Sequence, residues 1–185
     1  MKKGTTSTAT PFQDKVSNYS IIIIESKGKE HFCLVDNEDF NLVNNFHWNI
    51  SNNGYAITTI HGKSILMHRL IMGVTDPAFQ VDHKQHNKLD NRKEKLRVCT
   101  ASENRRNSLK HMAASSKLKG IYDDGGKWHV QIFVNGKVRN LGLFYSEITA
   151  AKLYDKVAKK HFKEFACLNF PEFNYDEQLV IPGFL

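Results

Sequence analysis

The 185-residue chain has little cysteine, and its three thiols are poorly spaced for acting together. Cys33, Cys99 and Cys167 are odd in number, far apart and without a CxxC pair. That excludes a zinc ribbon and leaves reduced core thiols of a cytosolic protein as the expectation. Long apolar runs are missing too: no stretch approaches the ~20 residues that cross a bilayer, and "SIIIIES" is short enough for a buried strand. The opening "MKKGTTSTATPFQDK" has a basic start but no apolar centre, so residues 1–15 are expected to be a mobile tail and not a secretory leader. No internal repeat is visible. Neither the aromatic RNP pattern nor the GxxG clamp of common RNA-binding modules occurs, which counts against an RNA-binding structural protein. What is present, 41% hydrophobic and 11% aromatic residues, suits a folded, soluble chain.

The net charge of +7 is not spread evenly. Residues 1–80 carry 7 Lys/Arg against 7 Asp/Glu, and residues 121–185 carry 8 against 8. Residues 81–120 carry 11 against 4, so the whole excess lies in forty residues. A solvated helix face mixes both signs. A concentrated basic block in a folded chain points to a polyanion, most simply nucleic acid.

Pattern and turn signals divide the chain. "YSIIIIES" and "HFCLVD" read as strands around the turn "KGKE", and "EDFNLVNNFHWNIS" is roughly helical through Phe40, Val43, Phe46 and Trp48. "GYAITTI", "HGK" and "SILMHRL" read as a hairpin running into a short helix. From residue 80 the order is strand "QVDH", polar loop, strand "LRVCT", and a helix in "TASENRRNSLKHMAASS" that opens on the capping box Thr100 and Glu103. A short linker, residues 113–118, leads to a second module. There "KWHVQIFV", the Asn-Gly turn and "VRNLGLF" form a hairpin, and Ser146 caps the helix "EITAAKLYDKVAKKHF". "FACLNFP" is expected to tuck back onto the sheet. Trp48, Tyr154 and Phe162 are expected in cores, while Trp128 is evenly balanced between core and groove.

The segment "VDHKQHNKLDN" is a solvated turn or the loop of an active site. Asp82 and His83 end a strand, and Asn104 lies on the first turns of the capped helix. If the hairpin packs on that helix, a carboxylate and an amide oxygen meet at one point. Two oxygen donors with room for water and phosphate suit Mg²⁺ or Mn²⁺. His83, next in sequence and pointing elsewhere, suits the general base that deprotonates a water. Arg92, Arg97, Arg105 and Arg106 crowd the same unit and are candidates for holding a DNA backbone. Arg69 is a candidate for the scissile phosphate or, equally, for a structural ion pair. His68, His86 and His111 are expected as packing or surface residues.

"VDHKQHNKLDNRKEKLRVCTASENRRN", with "LMHRLIMG" and "GYA" upstream, resembles the HNH motif of phage and intron-encoded endonucleases. The resemblance covers roughly residues 40–110 and implies a ββα-metal unit around one divalent cation. Asp82 and Asn104 are then the metal ligands, His83 is the base, and Asn91 is a loop position. One position departs from the family pattern "DNRxxNLR": Lys95 stands where the middle Asn braces the catalytic loop, and a Lys has only donors. Either Asn91 does the bracing or the enzyme is slow or inactive. The second module, residues 117–171, resembles the Apetala-type (ethylene-response-factor) DNA-binding domain through "GKW", "NGK", "LGLF" and "LNFP". That implies a three-stranded sheet in the major groove, with Lys119, Tyr122, Lys127, Trp128, Gln131, Phe133, Lys137, Arg139 and Asn140 as candidate contacts. Asp123 and Asp124 stand where basic or polar contact residues are usual.

The expectation is therefore an α+β protein. A β-rich N-terminal part leads into a ββα-metal unit (nuclease domain 16–112, metal core 80–112). A small three-stranded antiparallel sheet with one helix (119–171) and a C-terminal tail (172–185) follow. The expected activity is metal-dependent cleavage of one strand of double-stranded DNA by a monomer of homing-endonuclease type. The expected setting is a bacterial cytoplasm, phage- or intron-encoded, with no membrane role. The alternative is a DNA-binding regulator that has lost cleavage, for which Lys95 is the argument.

Overall fold

The computed structural model describes residues 18–109 and 115–175. It shows a mixed α/β chain of small antiparallel sheets and few helices, dividing into compact units at Ala101 and Ser102. The expected tail 1–15, His111, the first two residues of the segment 113–118 and most of 172–185 lie outside the described residues. No helix among the described residues is long and apolar enough to cross a membrane.

The first unit begins with the hairpin β1 (Tyr19–Ser26) and β2 (Lys29–Asp36). Lys27 and Gly28, at φ +53° and +72°, form its whole turn, a tighter closure than the four residues "KGKE". The segment expected to be helical divides. Only Phe40–Asn44 is α-helix (α1), and after a short break Asn49–Ile50 forms strand β3. Trp48 causes the break: its ring is 1% exposed and its indole N–H donates to Val43 O at 2.8 Å, which turns the chain inward. β3 pairs with β4 (Ala56–Ile60), and β4 with β5 (Lys63–Leu66), which runs directly into α2 (Met67–Ile71). Then β6 (Phe79–His83) pairs antiparallel with β7 (Leu96–Thr100). One apolar core serves all of these, with Ile22, Ile24, Cys33, Val35, Val43, Trp48, Met67 and Val81 in contact.

α3 (Ala101–Arg106) follows β7 without a break and is much shorter than the helix expected over residues 100–116. Lys119 stops it: its ammonium donates to the carbonyls of Arg106 and Ser108, each at 2.6 Å, where helix hydrogen bonds would otherwise continue. This clamp belongs to the C-terminal unit, and the compact division falls within the first turn of α3, between Ala101 and Ser102, ahead of the expected linker.

The second unit is the sheet β8 (Ile121–Asp124), β9 (Lys127–Val134) and β10 (Lys137–Phe144), with β9 central and α4 (Glu147–Phe162) on one face. Asn135 and Gly136, at φ +52° and +75°, close the β9–β10 hairpin, and Ser146 Oγ accepts from Thr149 N to cap α4. Ile121, Val130, Ile132 and Val134 pack on Ala150, Tyr154, Ala158 and Phe162. The segment after α4 packs on this core through Ala166, Leu168 and Phe170. Asp155, fully buried, accepts from Asn169 N, Asn169 Nδ2, Phe170 N and the Tyr175 hydroxyl.

Gly120 shows how close the helix lies. Its φ is +76°, and a β-carbon there would stand 1.9 Å from the Tyr154 ring. Gly120→Ala is expected to cost about 3 kcal/mol, from overpacking plus the left-handed backbone. Urea denaturation checks this, and a loss under 1 kcal/mol would contradict the packing described.

Candidate active site

Strand alternation puts neighbouring residues on opposite faces, and β6 uses this to separate Asp82 from His83. Both are nearly buried, at 7% and 5% exposure. Asp82 lies opposite Arg97 in the β6–β7 register, so the two side chains share a face. Arg97 Nε and Nη2 both donate to Asp82 Oδ2, at 2.8 and 2.6 Å. Arg97, expected as a DNA-backbone contact, is instead committed to the carboxylate.

His83 faces the core side. Its ring meets His68 edge-on at 4.9 Å between centroids and lies 5.7 Å from Tyr55, which also contacts His68 at 5.2 Å. Burial lowers the His83 pKa, opposed by hydrogen bonding with the Asn91 side chain and by the charges of Asp82 and Asp90. Its imidazole is therefore neutral near pH 7, the form a base requires. Burial lowers His68 further, to about 3, with the charges of His83 and Arg69 adding to it. His68 and Tyr55 were not among the sequence candidates. Their signal was their place in "LMHRLIMG" and "GYA", segments that resemblance had marked without giving them a role.

The polar loop between β6 and β7 is held by the first hairpin. Leu34 N donates to Leu89 O and Asn91 N to Leu34 O, both at 2.8 Å, so residues 89–91 lie parallel beside β2. Asn91 is fully buried, and its Nδ2 donates to Cys33 Sγ at 2.8 Å. Burial pushes the Cys33 thiol up to about 12, so it stays an uncharged acceptor. Lys95 contributes through its main chain: Lys84 N donates to Lys95 O at 2.9 Å and closes the loop, while Lys95 Nζ turns to Glu94 at 3.3 Å.

The arrangement now stands complete within the hairpin: a buried carboxylate, a neutral imidazole on the next residue, and a helix starting where the second strand ends. Residues 63–106 match the family model of the HNH endonucleases. The chain is also similar to the uncharacterized HNH endonuclease L560 of Acanthamoeba polyphaga mimivirus, 28% identical over 180 residues. That similarity covers 90% of this chain and 94% of the relative. No solved structure matches.

Within residues 63–106 and around them, several expected DNA contacts hold the fold. Arg69 donates to the carbonyls of Phe79 and Asp76, at 2.7 and 3.0 Å, and secures the turn before β6. Arg92 forms a two-pronged pair with Asp90, at 2.8 and 2.7 Å, and stacks on the Tyr19 ring. In the second unit the Lys119 ammonium is taken up by α3, and Arg106 lies over the Phe162 ring at 5.1 Å. Arg105 stays exposed on α3.

The sheet candidates divide between two faces. Val130, Ile132 and Val134 point to α4, so Gln131 and Phe133 occupy the open face, with Tyr122 and Asn140 beside them by register. Trp128 is on the helix side and packs against the second core, which decides the even choice left by the sequence. Lys137 and Arg139, opposite Val134 and Ile132, share the α4-facing parity. Lys127 lies over the Tyr145 ring at 4.8 Å. The open face offers Tyr122, Gln131, Phe133 and Asn140, not the full expected set.

Asn104 lies on α3, in the second compact unit. Among the described residues no three His, Cys, Asp or Glu side chains cluster as a metal site. A cation held at Asp82 would draw ligands from water and phosphate. Asp82 fits that demand, because a guanidinium already stands against it: the position accepts positive charge.

Proposed function

We propose that this protein is a metal-dependent DNA endonuclease of HNH type that hydrolyses one phosphodiester of duplex DNA per active site. The observation that carries the reading is the Asp82–His83 pair: adjacent, nearly buried, on opposite faces of β6, with the imidazole neutral and the carboxylate paired to a cation. The match of residues 63–106 and the similarity to the mimivirus protein support it.

His83 takes the proton of a water beside the phosphate. The resulting imidazolium is favoured by Asn91 and by the charges of Asp82 and Asp90. Asp82 would hold Mg²⁺ or Mn²⁺, whose positive charge would stabilise the phosphate and the leaving oxygen. Asn91 braces the loop in the role of the family's middle asparagine, so Lys95 is compatible with activity. The C-terminal sheet holds the DNA in the manner of an Apetala-type domain. A monomer with one such site nicks, in keeping with a homing-type enzyme encoded by a phage or intron and acting in a bacterial cytoplasm.

The test is nicking of supercoiled plasmid by the full-length protein with Mg²⁺, Mn²⁺ or EDTA, beside Asp82→Asn and Lys95→Asn. Metal-dependent nicking by the parent and Lys95→Asn, lost in Asp82→Asn, is expected. DNA that is shifted in a gel but cut only by Lys95→Asn would establish the binding regulator instead.

A further inference from the structure

The second unit carries a groove of about 580 Å³ that the proposed chemistry does not use. β8 ends its ladder at the Ile121–Val130 pair, with Gln131 N donating to Gly120 O at 2.9 Å. From Ile132 onward β9 has no strand on that side among the described residues, and the groove follows this free edge. Arg105 of α3 forms one wall; Tyr122, Gln131 and Phe133 of the sheet form the other, with Asn135 at its end.

Three chemistries meet here. Phe133 and Tyr122 are 64% and 44% exposed, so each offers aromatic surface to the groove. Arg105 is exposed, whereas its neighbours Arg106 and Lys119 are occupied by the Phe162 ring and by backbone carbonyls. Gln131 and Asn135 supply amides with both donors and acceptors. An aromatic face for stacking, a guanidinium for phosphate and amides for a base edge are the parts that grip a nucleotide. Stacking needs the face of a base, which a paired duplex hides within its stack. The groove also sits in the half of the chain entered directly from the basic block, whose excess of positive charge suits a polyanion.

We infer that this groove binds unpaired nucleotides of a single DNA strand. The inference rests on the DNA reading proposed above and adds a second kind of DNA to it: the frayed or displaced strand beside the duplex being cut. Phe133 stacks a base, Arg105 pairs with a phosphate, and Gln131 meets a base edge.

The test is fluorescence anisotropy of the full-length protein in EDTA, which prevents cutting. The probes are a labelled ten-nucleotide oligothymidine, the RNA equivalent and a duplex of mixed sequence. Phe133→Ala is expected to weaken oligothymidine binding about 5- to 160-fold, in line with ~1–3 kcal/mol per stacked base, and to weaken duplex binding by a smaller factor, since a paired base offers no face to stack on. Phe133→Trp is expected to restore it, which a general folding defect would not allow. Arg105→Ala is expected to lower the salt slope by about one phosphate contact. Oligothymidine affinity unchanged in Phe133→Ala would overturn the inference, and so would tighter binding of the RNA. A protein that binds the duplex but not the oligothymidine would sink the groove alone. Failure to bind any DNA would sink the endonuclease reading with it.

Discussion

His83→Ala is expected to lower the single-turnover nicking rate about 10²–10⁴-fold, the usual loss when a positioned general base is removed, with the Kd for duplex DNA unchanged. Two features of the site require this split between rate and binding. His83 is 5% exposed and faces Tyr55 and His68, so it has little surface to give to DNA binding. Its burial keeps it neutral, so it adds no charge to the DNA interface. The substitution empties a ring-sized space between Tyr55, His68 and Asn91, and free imidazole is expected to enter it and recover part of the rate. Circular dichroism separates this from unfolding. A variant that nicks at the parental rate would remove His83 from the mechanism. One that loses rate and DNA affinity equally would mean that the ring serves the fold instead.

Arg97→Ala is expected to destabilise the first unit by about 3 kcal/mol, the cost of leaving a buried charge without its partner. Arg97 and Asp82 side chains are 11% and 8% exposed, so solvent screens the pair little. For a unit of this size that is a fall in Tm of roughly 12–20 °C, read by differential scanning calorimetry in EDTA. Divalent metal is expected to raise the Tm of Arg97→Ala by more than it raises the parent's, because the vacated carboxylate then binds it without competition. Equal metal shifts in the two proteins would show that Asp82 is not a ligand. A variant with parental Tm but weakened DNA binding would return Arg97 to the backbone-contact role that the sequence suggested.

The role of Arg97 shows where reading along the chain stops. Nothing in "KLRVCT" links Arg97 to Asp82, because the pairing depends on register across a twelve-residue loop. The bracing of that loop is similar. Asn91 reaches Cys33, 58 positions away, because residues 89–91 lie beside β2. Lys119 likewise was a candidate DNA contact by its position in the Apetala-type pattern, and only the fold shows its ammonium on the end of α3.

Local chemistry was enough for much else. The glycines of "KGKE", "HGK" and "NGK" between strand segments marked the hairpins, since glycine tolerates the positive φ that two-residue turns require. Ser146 marked the start of α4, and its apolar stripe marked the buried face. The adjacency of Asp82 and His83 was sufficient to predict that they point apart, since strand geometry alternates neighbours. The sequence by itself therefore determined most of the strands, α4, the turns and the residues able to do chemistry, because those depend on interactions within a few positions. The tertiary structure decided which cations are already paired, which sheet residues share a face and what holds the loop. Each of those depends on distances between residues that the chain order keeps far apart.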